Sequence, residues 1–307
     1  TSVSRQLQKQ NLNGWLVIDK KAGYTSTSVV NKIKWLLNAK KAGHAGTLDP
    51  DATGILAIAL GEATKTIPYI TGAPKTYQFK IYLGAATDTD DTSGKTIKIS
   101  NTRPTDTQLT NVLTAFLGNI KQVPPNYSAI KINGNRAYQL ARNGLTELKL
   151  QERNLQVEKL ELIKRVNSNE AIMRMVCGKG GYVRSIARDI GEKLSCFAHA
   201  GEIRRLSSGP FTLSNSISHE IIFKKDSTPI FEKIRPIQSA LYQLDSFKCS
   251  GDDVKNLRNG KKISIDEYHF EENSEIFVYF QNVPIAIGRV KNSYFYPKRV
   301  FNYVFHE

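Results

Sequence analysis

The sequence predicts a mixed α/β domain followed by a small β-rich one, and three observations carry that reading. Short apolar or alternating segments, the pattern of strands, are interleaved with amphipathic helical segments over the first 235 residues. The tail beyond that point carries closely spaced strand-like runs, Ile276–Phe280 and Val283–Val290. The charge balance changes at the same place. A length of 307 residues suits one large or two moderate domains. With 40% hydrophobic residues the chain has enough apolar side chains for a core.

In chain order, residues 1–13 are polar and carry no regular pattern. Gly14–Lys20 (GWLVIDK) is a short apolar strand. Thr27–Asn38 places Val30, Ile33 and Leu37 on one helical face, with Ser28 as a candidate cap. Ile55–Leu60 (ILAIAL) is an unbroken apolar run, the mark of a buried strand. Glu62–Ile70 reads as a short helix, and Tyr77–Leu83 alternates as a strand does. Asp88–Gly94 (DTDDTSG) reads as a solvated acidic turn; its spacing does not match an EF-hand. Thr107–Leu117 is helical. Residues 121–153 scatter Lys and Arg among Pro, Gly and Tyr, an extended basic excursion. Val157–Arg165 and Ala171–Cys177 are strands. After the glycine turn Gly178–Gly181, a strong helix over Tyr182–Leu194 puts Val183, Ile186, Ile190 and Leu194 on one side.

The net charge is +15, from 43 Lys and Arg against 28 Asp and Glu. Pro236–Glu307 holds nine of each sign, which leaves 34 basic and 19 acidic residues in 1–235. The whole excess therefore lies before the boundary. A one-sided basic excess suits a polyanionic partner, RNA or DNA, although general solubility accounts for the same sum. Cys177, Cys196 and Cys249 are too few and too scattered for a disulfide framework or a zinc site. No apolar run approaches the roughly 20 residues that span a bilayer, and the polar start lacks the apolar core of a secretory signal. The expectation is a soluble protein of a reducing compartment, the cytoplasm.

The densest stretch is Gly43–Gly54 (GHAGTLDPDATG), with glycines, a histidine, two aspartates and a proline between a helix and a buried strand. Small residues let a ligand approach the backbone closely. Asp49-Pro50 also suits a helix start, Asp as cap and Pro at the first position. The apolar run that follows Gly54 has no polar face for a surface helix, so both readings stay open on spacing alone.

Gly43–Lys65 (GHAGTLDPDATGILAIALGEATK) resembles the signature of the TruB family, the bacterial tRNA pseudouridine-55 synthases. Further blocks follow in family order. Asp19-Lys20 with Gly23-Tyr24-Thr25-Ser26 resembles the opening DKPxGxTS motif. Lys75-Thr76-Tyr77 resembles KxY. Pro124-Pro125, Tyr127 to Lys131, Gly134, Arg136, Tyr138, Ala141, Arg142 and Gly144 resemble PPxYSAxKxxGxRxYxxARxG. Gly181 to Gly191 resembles GTYIRxLxxDxG, and Arg204-Arg205-Leu206 with Ser208 to Phe211 resembles RRxxxGxF. Two positions depart: Lys21 stands where the motif has Pro, and Gly181 where Thr is common.

The resemblance implies the pseudouridine synthase fold, with a largely antiparallel central sheet in a catalytic domain over 1–235 and a PUA-like RNA-binding domain over 236–307. It implies isomerisation of uridine 55 in the tRNA T-loop, with Asp49 as nucleophile and Arg184 as the guanidinium that keeps it ionised. Tyr77 is implied to stack on the target base and to take part in proton transfer. Leu206 would pack on the base from the other side, Tyr182 would face the same pocket, and Lys20 would support the first loop or the substrate. His44 would occupy the space that the everted base leaves. Lys131, Arg136 and Arg142 of the basic excursion are expected on the RNA, beside Lys121, Lys149 and Arg153. No metal, nucleotide or redox cofactor is needed, and a monomer without guide RNA is expected. Two rivals are a non-catalytic tRNA-binding protein or chaperone of the same fold and a guide-directed synthase. The set Asp49, Tyr77 and Arg184 speaks against the first, and the large basic excursion against the second.

Overall fold

A computed structural model describes residues 11–128, 131–132, 135–137 and 150–303. The strands, in chain order, are β1 (Gly14–Lys20), β2 (Ala42–Ala45), β3 (Thr53–Leu60), β4 (Lys75–Leu83), β5 (Ala85–Thr87), β6 (Thr96–Ile99), β7 (Gly118–Gln122), β8 (Lys131–Ile132), β9 (Asn135–Arg136), β10 (Arg153–Asn167), β11 (Glu170–Cys177), β12 (Ala198–Ser208), β13 (Phe211–Thr212) and β14 (Ile217–Ser218). The main sheet runs β14-β1-β3-β12-β4-β11-β10-β7, with β2 added to β3 and β13 to β12. Its pairings are antiparallel except β1 with β14 and β3 with β12, so the largely antiparallel sheet is as expected.

The apolar run of β3 is explained by burial on both faces. Ile55, Ala57 and Ala59 point into one core with Trp15, Val17 and Phe211. Leu56, Ile58 and Leu60 point into the other, with Leu16, Ile18 and the Val29, Val30, Ile33 and Leu37 face of the first helix. A strand covered on both sides gains nothing from alternation. That helix spans Ser26–Leu36. Its cap is Thr25, whose Oγ1 accepts from the Ser28 N–H at 3.0 Å; Ser28, the expected cap, lies inside. A third core joins β4, β10 and β11 to the helix Val183–Lys193 through Phe79, Met173, Met175, Ile186 and Ile190.

Two other helices differ from expectation. Glu62–Ile70 divides into a 3-10 turn, Gly61–Thr66, and a short α-helix, Ile67–Thr71. Pro68, without an N–H, cannot extend an α-helical bond back to Thr64. The helix Asp106–Leu113 is closed by a Thr105–Gln108 capping box and ends in a 3-10 turn, Thr114–Phe116.

The tail forms a five-stranded sheet from β15 (Asp245–Lys248), β16 (Ile263–Ser264), β17 (Glu275–Phe280), β18 (Val283–Lys291) and β19 (Tyr294–Val300), in the order β15-β17-β18-β19-β16. It has its own core around Phe247, Leu257, Ile276 and Phe295. It is also packed onto the main sheet, because Phe277, Ile287 and Phe301 share a cluster with Trp15 and Phe211. Lys65 Nζ donates to the Val300 carbonyl at 2.7 Å, and the Glu62 carboxylate accepts from Asn302 N at 2.8 Å.

Candidate active site

The loop between β2 and β3 carries Asp49 and is held from below by buried cations and one hydroxyl. Lys20, fully buried at the end of β1, donates from Nζ to the carbonyls of Lys21, Tyr24 and Pro50 at 2.8, 2.9 and 3.0 Å. Desolvation lowers its pKa to about 8 against the opposing pull of Asp51 and Asp49. Ser26 Oγ donates to the Leu48 carbonyl at 3.1 Å and accepts from the Leu48 N–H at 2.9 Å. Gly23 N donates to the Pro50 carbonyl at 2.8 Å. The Asp49-Pro50 pair therefore opens a turn, closed by Ala52 N on the Asp49 carbonyl at 3.0 Å, and no helix starts there.

Arg205 supports the same loop from β12. Its guanidinium, 1% exposed, donates from Nε to the Ile55 carbonyl at 2.8 Å and from Nη2 to the Gly46 carbonyl at 3.0 Å. β3 and β12 meet so closely at Gly54 and Arg205 that a Cβ on Gly54 would lie 2.1 Å from the Arg205 carbonyl oxygen. Gly54 also has φ +106, which L side chains rarely adopt.

Across the cleft, the helix Val183–Lys193 starts against the loop. Tyr182 is its N-cap residue, and both its backbone groups are clamped by the Gln122 side chain, N–H to Oε1 at 2.9 Å and carbonyl to Nε2 at 3.1 Å. Arg184, in the first turn and 5% exposed, aims its guanidinium at Asp49. Nε lies 2.9 Å from Oδ2, and Nη2 lies 3.4 Å from Oδ1. Nη1 donates to the Tyr127 carbonyl at 2.8 Å. The positive end of the helix adds to the attraction for a carboxylate.

These groups line a pocket of about 80 Å³ with Thr47, Leu48, Asp49, Ala52, Tyr77, Gly181, Tyr182, Val183, Arg184 and Ile203 on its walls. Ordinary small-molecule sites run to roughly 300–1,000 Å³, so this one is small. Tyr77 on β4 sits opposite Arg205 of β12. Burial pushes its phenol up, against the downward pull of the Arg205 guanidinium, so the phenol is protonated at neutral pH.

The structure brings Asp49, Tyr77, Tyr182 and Arg184 to one pocket. Leu206 is not on its walls; Ile203, on the same strand, is. Lys20 lies under the loop rather than in the pocket. His44 is on β2, opposite Ile58, half-buried and outside the walls. Its Nδ1 is buried without a hydrogen-bond partner among the described residues, and burial, then Arg205, lowers its pKa. Lys131 and Arg136 pair across the β8–β9 ribbon, and Arg142 lies outside the described residues.

The acidic turn after β5 differs from expectation. Asp90 is 7% exposed and pairs with Arg188 Nη1 at 3.0 Å. Burial raises its carboxyl to about 6, opposed by Arg188. Asp91 accepts from Thr89 Oγ1 and Ser93 Oγ, both at 2.6 Å, and the Thr89 carbonyl accepts from Arg184 Nη1 at 3.4 Å. The turn thus backs the active-site helix, because a buried carboxylate needs the cation that the helix offers. Among the described residues no group of three or more His, Cys, Asp or Glu could hold a metal ion, and no helix is long and apolar enough to cross a membrane.

Residues 34–183 match the N-terminal domain of the TruB family pseudouridylate synthases, and residues 184–242 match the tRNA pseudouridylate synthase B C-terminal domain. A tRNA pseudouridine synthase B of Roseobacter denitrificans is 48% identical over 301 residues, 98% of this chain and 99% of that protein. The chain belongs to the TruB family. A Ruegeria pomeroyi protein of the same name is likewise 48% identical, over 97% of this chain and 99% of its own. A solved H/ACA ribonucleoprotein bound to a substrate RNA containing 2'-deoxyuridine shares the fold. It has a TM-score of 0.72 and 23% identity, covering 94% of this chain and 85% of that one.

Within this TruB-family chain, several residues that surround the pocket had no assigned role in the sequence. Arg205 and Ser26 lie in quoted motifs, so their motif membership was the available signal. Gln122 and Asp90 had no comparable signal: one was a polar strand residue, the other part of an acidic turn.

Proposed function

We propose that this protein isomerises uridine 55 in the T-loop of tRNA to pseudouridine, with Asp49 as the nucleophile. The observation that carries this reading is the Asp49–Arg184 pair at 2.9 Å on the wall of a small pocket shared with Tyr77 and Tyr182. Close relatives named tRNA pseudouridine synthase B support it.

The reaction breaks the N1–C1′ glycosidic bond, turns the uracil, forms a C5–C1′ bond and returns the C5 proton to N1. Asp49 supplies the covalent hold on sugar or base that keeps the two fragments together while the base turns. Arg184 holds that carboxylate at 2.9 Å, and its fork suits a carboxylate better than an ammonium does. Tyr77 offers an aromatic face for the base and a protonated hydroxyl. The base must first leave the T-loop stack, at a cost of a few kcal/mol. His44, its Nδ1 buried without a partner among the described residues, stands beside the loop to fill the vacated place.

Recognition of the RNA follows from shape and phosphate contact. The basic surface over 1–235, Lys131, Arg136 and Arg142 included, carries the phosphates, and the tail acts as a PUA-like module with its own local contact. The enzyme works as a monomer in the cytoplasm, without guide RNA or cofactor. The test is a map of pseudouridine in tRNA from cells that lack the protein. Position 55 should be unmodified and should regain pseudouridine when the gene is restored; pseudouridine persisting there in the deletion strain contradicts the assignment.

A further inference from the structure

Lys21 replaces the proline of the TruB opening motif, and its backbone N–H, which a proline would lack, is in use. It donates to His219 Nδ1 at 3.1 Å. His219 is 1% exposed, starts the 3-10 turn His219–Phe223, and packs its ring 4.5 Å from that of Tyr24. The Lys21 ammonium pairs with the neighbouring Glu220. On the other side of the same residue, the Lys21 carbonyl accepts from Lys20 Nζ at 2.8 Å. That ammonium also holds the Pro50 carbonyl at 3.0 Å, next to Asp49. An unbroken path therefore runs from His219 Nδ1 through the Lys21 backbone and Lys20 Nζ to the carbonyl of Pro50, the residue after the nucleophile.

We propose that His219 is a positioning residue for Asp49, and that its bond to Lys21 does the work of the missing proline ring. Proline at position 21 would fix φ through its ring. In this chain the same rotation is fixed at both ends: the N–H is held by His219 and the carbonyl by Lys20. With φ free, the Lys21 carbonyl loses its aim at Lys20 Nζ, and the grip on Pro50 loosens. The bond assigns the tautomer, since Nδ1 accepts and the proton sits on Nε2. Burial and the charges of Lys20 and Lys21 hold this ring below the ordinary histidine pKa, with Asp19 opposing, which keeps Nδ1 free to accept. The Nε2 proton is then buried without a hydrogen-bond partner among the described residues, so the bond from Lys21 is the ring's one hydrogen bond there.

The inference rests on the assignment of Asp49, which Asp49→Asn tests independently. A failure below with the Asp49 requirement intact falls on His219 alone. The experiment is a cycle of variants of the full chain, assayed on a T-arm stem-loop under saturating and limiting RNA. His219→Leu removes the acceptor and should lower kcat about five- to tenfold, the worth of about one hydrogen bond, with KM unchanged. His219→Asn, which keeps an acceptor oxygen near the Nδ1 position, should stay within about twofold of the parent, on the same scale. Lys21→Pro should make the enzyme indifferent to His219→Leu, because the ring then holds φ. Additive effects of Lys21→Pro and His219→Leu overturn the proposal, as does an Asn variant as slow as the Leu one. If His219→Leu alone does not fold, the double variant decides: near-parental kcat supports the proposal, and a loss of more than about tenfold overturns it.

Discussion

Arg184 is buried and Asp49 is not: the guanidinium side chain is 6% exposed, and the carboxylate that it meets at 2.9 Å is 45% exposed. The pair is thus a fixed cation facing an acid that still opens to the pocket. Arg184 Nη1 also donates to the carbonyls of Tyr127 and Thr89, at 2.8 and 3.4 Å, so protein groups hold the guanidinium on its far side. A nucleophilic carboxylate needs this arrangement, held by a cation yet open to an incoming base.

Arg184→Lys keeps the charge and loses the fork. One charge-assisted bond is worth about 1.5–3 kcal/mol, so kcat should fall by roughly 10- to 150-fold while the dissociation constant for a T-arm stem-loop moves less than about threefold. Single-turnover kinetics with a filter-binding series separates the two. Equal losses in both would mean that Arg184 only grips RNA.

Gly54→Ala should destabilise the protein by at least about 2 kcal/mol. The new Cβ would meet the Arg205 carbonyl at 2.1 Å in a backbone conformation with φ +106. The two strands must part to admit it, and the Arg205 bonds to Gly46 and Ile55 go with them. Urea denaturation reads the change, and an unaltered midpoint would show that the β3–β12 contact is looser than described.

Lys20 gives a pH signature. Its folded pKa, about 8, lies below the value of about 10.4 for an unfolded lysine. Between those values the unfolded chain binds more protons at this site, so the stability contribution of Lys20 rises with pH through that window and is flat below it. The parent minus Lys20→Met difference in unfolding free energy should therefore grow from pH 8 towards pH 10. A constant difference would place the ammonium in a wetter setting than its three carbonyl partners imply.

Affinity for tRNA should fall steeply with salt, because each Lys or Arg on a phosphate displaces a counterion. With several such contacts, log K against log salt should slope by roughly −0.7 to −0.9 per contact. A flat response would remove the basic surface over 1–235 from the binding.

Much of the fold was legible in the sequence for local reasons. The ILAIAL run read as a buried strand and is covered on both faces, and the Val183, Ile186, Ile190 stripe read as one side of a helix and packs as one. Boundaries were less legible where two local signals compete, as at Thr25 and Ser28, either of which suits a cap, or at Pro68, which turns one expected helix into two short ones. The candidate site was legible as motif blocks and not as geometry. Spacing along the chain could not show that Arg205 would reach back to Gly46, or that Lys21 would meet a histidine 198 residues away. The acidic turn read as solvated because composition alone carries no trace of Arg188 waiting beside Asp90. Ile203 rather than Leu206 reached the pocket because β12 breaks register on both sides of Arg204 and Arg205, between Gly201 and Arg204 and between Arg205 and Ser207, and a bulge shifts which side chain faces which way.

The most direct test is turnover by Asp49→Asn on a T-arm stem-loop, followed by direct detection of pseudouridine. The variant keeps the shape and loses the charge, so it should bind RNA within about twofold of the parent and form no product above background. Pseudouridine formed by Asp49→Asn at a rate near that of the parent would contradict the assignment of Asp49 as nucleophile.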